Sequence, residues 1–209
     1  MKRENALMEK RDSDEGDWGL LRDEIRSCRL CRERFGFEPN PIVWGSADSK
    51  IMQISQAPSK SVHETGIPFH DLSGQKLRRE WYEITDEEFY DVHNFYIVSV
   101  GHCYPGKNAS GGDRMPPALC AKTWLDREVG LVNNEIYLLV GGAAAKFFFP
   151  NRGFTGLVFE NLTLRGKPAY VLPHPSPLNI KWFRDNPDFL KYRIREIRRV
   201  IHQVLNLPR

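Results

Sequence analysis

Short apolar runs alternate with amphipathic segments along this chain, and polar, Gly or Pro positions close each run. Such runs predict buried strands, over residues 41–45, 50–55, 95–100, 135–140, 156–164 and 168–172. Between them, apolar residues recur at helical spacing, as at Trp18, Leu21 and Ile25. These segments predict helices, over residues 18–27, 73–81 with Ser73 as N-cap, 116–127, 141–149 and 187–207. Strands that alternate with helices indicate an α/β fold whose central sheet is parallel and covered on both faces.

Length and composition favour a single folded domain over residues 17–209. The 209-residue chain is long enough for one sizeable core, and its 41% of apolar residues is typical of globular proteins. Residues 1–16 are mostly charged, and we expect them to be disordered or frayed. No apolar run reaches the ~18–20 residues that span a bilayer, and no signal-peptide core follows Met1. We therefore expect a cytoplasmic protein with no membrane partner.

Positive charge is concentrated near the C-terminus. The formal net charge is only +3, but from Lys181 to Arg209 eight Lys or Arg residues stand against three acidic ones. A basic stretch is commonly a solvated helix face, which is the simpler interpretation of residues 191–199. Its position directly after residues 172–179, a proline-rich loop around one histidine, also allows a role in binding phosphate.

Four cysteines form one close pair and two single positions. Cys28 and Cys31 are separated by two residues, and Cys103 and Cys120 by sixteen. Disulfides are rare in the cytoplasm, so a chelating pair with two further thiols predicts a four-thiolate metal site rather than four small core residues. The spacing accepts either Zn²⁺ or an iron–sulfur cluster.

Two loops that follow predicted strands carry the candidate chemistry. The first holds residues 55–59 (SQAPS), 65–69 (TGIPF) and 74–75 (GQ). Its aromatic ring, Phe69, is either a core residue or a surface on which a base can stack. The second holds residues 172–179 (LPHPSPLN), in which proline restricts the backbone around one histidine. Alone it resembles a surface turn, but at the carboxyl end of a strand in an α/β sheet it lies where ligands bind.

In this order, the loops and the cysteines resemble the uracil-DNA glycosylase superfamily, and most of all its iron–sulfur branch, family 4. That branch has a first motif similar to Gly-Glu-Ala-Pro-Gly, then Thr/Gln-Gly-x-Pro-Phe and Gly-Gln, and a second motif similar to residues 174–178. The similarity covers about residues 20–205. It implies a three-layer α/β/α sandwich with a central, mainly parallel four-stranded sheet. It also implies a [4Fe-4S] cluster held by Cys28, Cys31, Cys103 and Cys120.

The resemblance implies roles for individual residues as well. Such enzymes move the target base out of the DNA stack. Phe69 would stack on the flipped uracil, His174 would stabilise charge developing on uracil O2, and Gln56 would stand at the water-activating position. The further base contacts would be Ser55, Ala57 and Ser99. The DNA contacts would be Leu178 in the vacated space, with Ser176, Lys181 and Arg184 on phosphates.

Two departures from the family pattern fall within the site. Gln56 replaces the Glu of the family, and an amide can orient water but cannot take its proton. Ser99 replaces an Asn that reads the pyrimidine edge, and loss of such a polar group can reduce discrimination. Ser55 and Ser59 replace the flanking glycines of the first motif. Four loop residues are candidates for a replacement base, although each is also typical of a solvated loop: His63, Glu64, His70 and Asp71.

The leading hypothesis is a monomeric base-excision repair glycosylase that hydrolyses the N-glycosidic bond of uracil, or of a related deaminated base, in DNA. The presence of His174, Phe69 and Leu178 favours it. Gln56 and Ser99 favour the alternative, a non-catalytic or altered-specificity nucleobase-binding member of the same superfamily. A third hypothesis is a Zn²⁺-stabilised hydrolase or nucleotide-binding module of similar topology, which would be colourless where an iron–sulfur protein is brown.

Overall fold

Four parallel strands form the centre of a five-stranded sheet in the computed structural model, which describes residues 16–208. The strands are β1 (Ile51–Ser55), β2 (Phe95–Ser99), β3 (Ile136–Val140), β4 (Leu162–Leu164) and β5 (Lys167–Leu172). Their order is β2-β1-β3-β5-β4, and only the hairpin of β4 with β5 is antiparallel. The predicted parallel-centred sheet is confirmed, and the short β4 adds a fifth strand at its edge.

Apart from β4 and β5, which form a hairpin, the strands are separated along the chain by helices. They are α1 (residues 16–27), α2 (Leu30–Phe35), α3 (Lys60–Thr65), α4 (Leu72–Gln75, continued by the π-helical Lys76–Tyr82), α5 (Asp86–Tyr90), α6 (Ala118–Cys120, continued by the π-helical Ala121–Leu125 and by Asp126–Leu131), α7 (Gly142–Phe148), α8 (Phe154–Phe159), α9 (Ile180–Asp185) and α10 (the π-helical Phe189–Arg193, continued by Ile194–Leu205). A 3₁₀ turn, Pro177–Asn179, precedes α9. Within residues 16–208, none of the helices is both long and apolar enough to cross a bilayer.

Burial of the central strands confirms the three-layer arrangement. Every residue of β1, β2 and β3 is buried, so both faces of the sheet are covered. Trp18, Leu21 and Ile25 of α1 are at most 1% exposed, as their helical spacing predicts. The predicted disorder of residues 1–16 lies outside the described residues, apart from residue 16 itself.

The prediction of a strand over the whole of residues 156–164 is wrong. Helix α8 occupies its first part, and only Leu162–Leu164 forms a strand. Phe154, Leu157 and Val158 recur at helical spacing, and the last two side chains are buried. Burial of this apolar face stabilises a helix although β-branched and aromatic residues are frequent in the segment.

The prediction of a strand over residues 41–45 is also wrong, because this segment makes one isolated antiparallel bridge, from Trp44 to Ile97. Pro41 has no N–H to donate to a neighbouring strand. Gly45 has a φ of 125°, and a Cβ at that position would lie 2.7 Å from the Cα of Tyr96. The chain therefore touches the edge of β2 once and turns away.

Loops with candidate chemistry leave the sheet at the carboxyl ends of its parallel strands. Two backbone bonds continue the β1–β2 pairing past the strands, from Val100 N–H to Ser55 O at 2.9 Å and from Gly101 N–H to Gln56 O at 3.0 Å. Between β3 and β5, Gly141 N–H donates to Leu172 O at 2.8 Å. The histidine loop (residues 172–179) and the loop that begins at residue 55 are thereby held at the same edge, where α/β proteins bind ligands.

Candidate active site and cysteine cluster

A cavity of about 80 Å³ lies at the carboxyl ends of β1 and β2. Its lining includes every residue predicted to catalyse or to contact a base: Ser55, Gln56, Ala57, Phe69, Ser99 and His174. The structure thus brings together side chains separated by more than a hundred positions in sequence. The role of each of these residues remains a prediction.

Two buried hydroxyls form one side of this cavity. Ser55 and Ser99 are register partners at the ends of β1 and β2, and their Oγ atoms lie 2.7 Å apart. Since each hydroxyl can donate one hydrogen and accept two, the pair keeps one donor after forming its mutual bond. An amide presents an N–H donor and a C=O acceptor in a fixed arrangement, whereas this hydroxyl can rotate. The cavity therefore presents one donor whose direction adapts.

An aromatic ring held by an unusual backbone lines another side. Phe69 has a φ of 54°, in the left-handed region that few non-glycine residues adopt. Gly74 permits this geometry, because a Cβ at that position would lie only 1.6 Å from Phe69 O. The ring also meets Phe89 edge-on at 6.3 Å between centroids, so one edge packs on the core while the residue lines the cavity.

Asp71 is a cavity residue that sequence reasoning considered without assigning a role. Of the four loop residues proposed as replacement bases, Asp71 is the one that lines the cavity among the described residues. Its Oδ1 accepts a hydrogen bond from Gly74 N–H at 2.9 Å, so it, and not the predicted Ser73, is the N-cap of α4. Asp and Ser are both favourable N-cap residues, so the prediction of Ser73 placed the start of the helix too late in the chain.

His174 is held as a neutral ring with a defined donor. Ser176 N–H donates to His174 Nδ1 at 3.2 Å, which places the proton of the neutral ring on Nε2. Asn179 Nδ2 donates to His174 O at 2.7 Å and fixes the backbone. Burial lowers the pKa of His174, and the Asp71 carboxylate partly opposes that shift. A proton on Nδ1 would also displace the Ser176 N–H bond, which further favours the neutral form.

Exposed side chains of the histidine loop lie beyond the cavity. Leu178 is 93% exposed, so its side chain is not packed in the protein core. Ser176 Oγ accepts a hydrogen bond from Leu178 N–H at 3.2 Å, so the hydroxyl predicted to hold phosphate also supports this turn. Lys181 and Arg184 are exposed on α9, and both pair with Asp185.

Leu72 is a second exposed leucine, which sequence reasoning missed. It is 79% exposed and lines a surface groove together with Pro175 and Pro177 of the histidine loop. The sequence feature that could have identified it is an apolar residue at the first position of a helix, where side chains are rarely buried.

All four cysteines line a second cavity, between α2, the end of β2 and α6. Burial, reinforced by the neighbouring sulfurs, raises the pKa of Cys31 to about 11 and that of Cys103 to about 12. Thiolates in this cavity therefore need a compensating cation. Within residues 16–208, no three His, Cys, Asp or Glu side chains converge as ligands of a single metal ion.

A buried polar network, missed by sequence reasoning, supports one of these sulfurs. His102 donates its backbone N–H to Cys120 Sγ at 3.3 Å, and its Nδ1 lies 3.4 Å from the same sulfur. Its Nε2 lies 2.7 Å from Glu128 Oε2, and Tyr96 donates its hydroxyl to Glu128 Oε1 at 2.7 Å. Burial alone would lower the pKa of His102, but Glu128 and Cys120 raise it to about 10. The imidazole of His102 therefore lies between the Glu128 carboxylate and the Cys120 sulfur.

Sequence comparison relates this chain to a known family of DNA glycosylases. The chain matches the model of the uracil DNA glycosylase superfamily over residues 42–198. It is 23% identical over 190 residues to a type-4 uracil-DNA glycosylase of Thermotoga maritima, across 87% of this chain and 88% of that protein. It is 26% identical over 131 residues to a type-4 uracil-DNA glycosylase of Saccharolobus solfataricus, across 62% of this chain and 58% of that protein. The residues that line the first cavity all fall within the family match, whereas Cys28 and Cys31 precede it.

Proposed function

The chain belongs to the uracil DNA glycosylase superfamily, and we propose that it is a monomeric, cytoplasmic enzyme that hydrolyses the N-glycosidic bond of uracil, or of a related deaminated base, in DNA. One observation carries the proposal: a single cavity joins Phe69, His174 and the Ser55–Ser99 pair at the carboxyl edge of the sheet. The names of the two relatives support the substrate class, because each is a type-4 uracil-DNA glycosylase.

Base flipping is the first step. Extruding a nucleotide costs a few kcal/mol in lost stacking and pairing, and an apolar side chain in the gap offsets part of that cost. The 93% exposed Leu178 fills the gap, while Phe69 stacks on the extruded base. Lys181 and Arg184 hold the adjacent phosphates, where they exchange part of their pairing with Asp185 for DNA.

Leaving-group stabilisation falls to His174. As the C1′–N1 bond breaks, its electron pair passes to the base and charge develops on O2. The Nε2–H of a neutral imidazole donates to that oxygen, and the His174 ring is largely buried from water. Such a prearranged donor is worth ~10²–10³ in rate.

Water attacks C1′ of the oxocarbenium-like sugar, and its proton goes to the Asp71 carboxylate. Gln56 orients that water through its amide but cannot accept the proton. Asp71 keeps one carboxylate oxygen for this task, because Gly74 N–H occupies only Oδ1. The carboxylate charge also acts on His174 across the cavity, and it favours the cationic sugar in the same way.

A [4Fe-4S] cluster held by Cys28, Cys31, Cys103 and Cys120 is part of the proposal. The residues fit such a group, since four sulfurs surround one cavity, and a four-iron cluster takes thiolates set around a volume rather than around a point. Bound there, it would supply a covalent cross-link between α2, the end of β2 and α6. A Zn²⁺ site is the alternative for the same donors.

Uracil release from oligonucleotides tests the proposed function. We expect the protein to release uracil from single- or double-stranded substrates, and to release hypoxanthine or xanthine as well, because the rotating Ser55–Ser99 donor discriminates weakly. Ser99→Asn, which places an amide beside Ser55, should favour uracil over hypoxanthine by ~10-fold or more. Base release is measured by alkaline cleavage of the abasic product, with cytosine-containing strands as the control.

If folded, coloured protein releases none of these bases, the proposed hydrolase activity is wrong. If the same protein bound uracil-containing strands more tightly than cytosine-containing ones, the second candidate function would stand, namely nucleobase binding without hydrolysis. The absence of a proton acceptor at Gln56 is the observation that favours it.

Asp71→Asn separates the role of this carboxylate from simple capping, since Asn also caps helices. We expect the rate of base release to fall by about 10-fold to 10²-fold, at or below the lower end of the range for general-base catalysis, because an oxocarbenium-like sugar needs only a weak base. We also expect the pKa of His174, already below its ordinary value of 6.5, to fall further once the opposing charge is removed. Ring carbon chemical shifts followed against pH measure this directly.

Glu64→Gln provides the matched control, because Glu64 lies on α3, pairs with Lys60 and is exposed. It should leave both the rate and the titration of His174 unchanged. A His174 pKa at or above 6.5 would contradict the neutral donor, and full activity in Asp71→Asn would remove Asp71 from the reaction.

A further inference from the structure

A buried arginine contacts the strained segment that carries the aromatic wall of the cavity. Arg78 is 3% exposed, and its Nη1 donates a hydrogen bond to Phe69 O. Its Nε donates to Asp86 Oδ1 at 2.8 Å. The guanidinium carbon also lies 5.2 Å from the Phe89 ring centroid and 5.1 Å from that of Tyr90. The planar group is thereby fixed on several sides.

The carbonyl before Phe69 is fixed from the same direction. Tyr90 donates its hydroxyl to Pro68 O at 2.9 Å, so two consecutive carbonyls each receive a side-chain donor. Helix α4 approaches the same peptide unit so closely that only glycine fits at position 74. Arg78 lies one helical turn after Gly74, and α4 therefore supplies both the close contact and the donor.

We infer that Arg78 is a positioning residue, which holds the ring of Phe69 where a flipped base stacks. A φ of 54° at Phe69 is unfavourable for a residue with a side chain, and it persists only where surrounding contacts determine it. Arg78 and Tyr90 provide those contacts at the adjoining carbonyls. The assignment rests on the proposed function, because it takes Phe69 as the stacking surface.

Adjacent arginines make a matched pair for the test. Arg79 pairs with the same carboxylate, from its Nη2 to Asp86 Oδ2 at 3.2 Å, but its side chain is 65% exposed. Arg78→Met removes the donor to Phe69, whereas Arg79→Met removes a neighbouring charge of the same type. Arg78→Lys keeps the charge without the forked geometry, and it serves as the second variant if Arg78→Met folds poorly.

Binding of a uracil-containing oligonucleotide is measured in a His174→Ala background, in which base release is slow enough not to deplete the substrate during the measurement. We expect Arg78→Met to weaken binding ~10-fold, Arg78→Lys to weaken it less, and Arg79→Met to leave it unchanged. In a double-mutant cycle, adding Arg78→Met to Phe69→Ala should weaken binding no further, since no ring remains to be positioned. A purely structural role predicts additive losses, and additivity would overturn the inference.

Amide exchange distinguishes failure of this inference from failure of the proposed function. The amides of Gly74 and Gln75 bond to Asp71 within the same segment, and they should exchange faster in Arg78→Met than in Arg79→Met. If wild-type protein shows no preference for uracil over cytosine, the proposed function fails while faster exchange still supports the positioning role. Equal exchange rates in the two variants would overturn it whatever the protein binds.

Discussion

His174→Ala should slow base release by ~10²–10³ while leaving affinity for uracil-containing DNA nearly unchanged. The reason is that the Nε2–H bond to O2 strengthens only as negative charge develops on the leaving base. A group that acts in the transition state alone lowers the rate and not ground-state binding. His174 is suited to this role by the Ser176 N–H bond that fixes its tautomer at 3.2 Å and by the burial that lowers its pKa.

Two further variants make the test specific. His174→Gln retains an N–H donor of similar reach and should recover part of the lost rate. His93→Ala is the control, because His93 pairs with Asp48 at 2.9 Å and precedes β2, at the opposite end of the sheet. A His174→Ala rate equal to wild type would refute the assignment. Loss of affinity as large as the loss of rate would show instead that His174 shapes the cavity.

Much of the site could be predicted because its residues end apolar strands. Ser55 and Ser99 each follow a run of buried residues, and His174 follows β5 by two positions. The carboxyl ends of parallel strands share one edge of the sheet, so local patterns alone bring these residues together. The order of the strands and the register of Ser55 with Ser99 required the structure, because periodicity does not select partners.

Arg78 and Arg79 show where sequence reasoning falls short. The two neighbours are chemically identical, yet one is buried against Phe69 and the other is exposed. The helical phase carried a usable signal, since Leu77, Arg78 and Trp81 share the buried face. A charged residue in that phase is usually assigned to the surface, because its burial depends on partners elsewhere in the fold.

His102 and Glu128 were missed for a related reason. Each is a single polar residue in an ordinary segment, and only tertiary packing brings them together. His102 Nε2 lies 2.7 Å from Glu128 Oε2, and His102 Nδ1 lies 3.4 Å from Cys120 Sγ. Buried charges that pair in this way are strongly destabilising when one partner is removed. The cysteine cavity is therefore embedded in a network that is costly to rearrange.

This embedding makes Cys103 the substitution with the largest expected effect on folding. Cys103 is 7% exposed, and it follows the end of β2 by four positions, between the paired Cys28 and Cys31 and the helix of Cys120. A bound cluster that links these cysteines would close long loops of the chain. Metal binding in such sites can contribute ~10 kcal/mol to folding, a figure comparable to the whole stability of a domain.

Cys103→Ala should therefore give little soluble, folded protein, with loss of visible absorbance and of bound iron. Soluble yield, iron content and the absorbance spectrum measure these losses. Ser27→Ala is the control, because this exposed residue adjoins Cys28 and leaves all four thiols in place. If the wild-type protein is colourless and contains zinc, the bound group is Zn²⁺ and not the cluster, and the proposed cross-link still stands. Cys103→Ala that remains folded at wild-type yield would contradict the cross-link itself, since a cavity of buried, high-pKa thiols would then need no cation to support the fold.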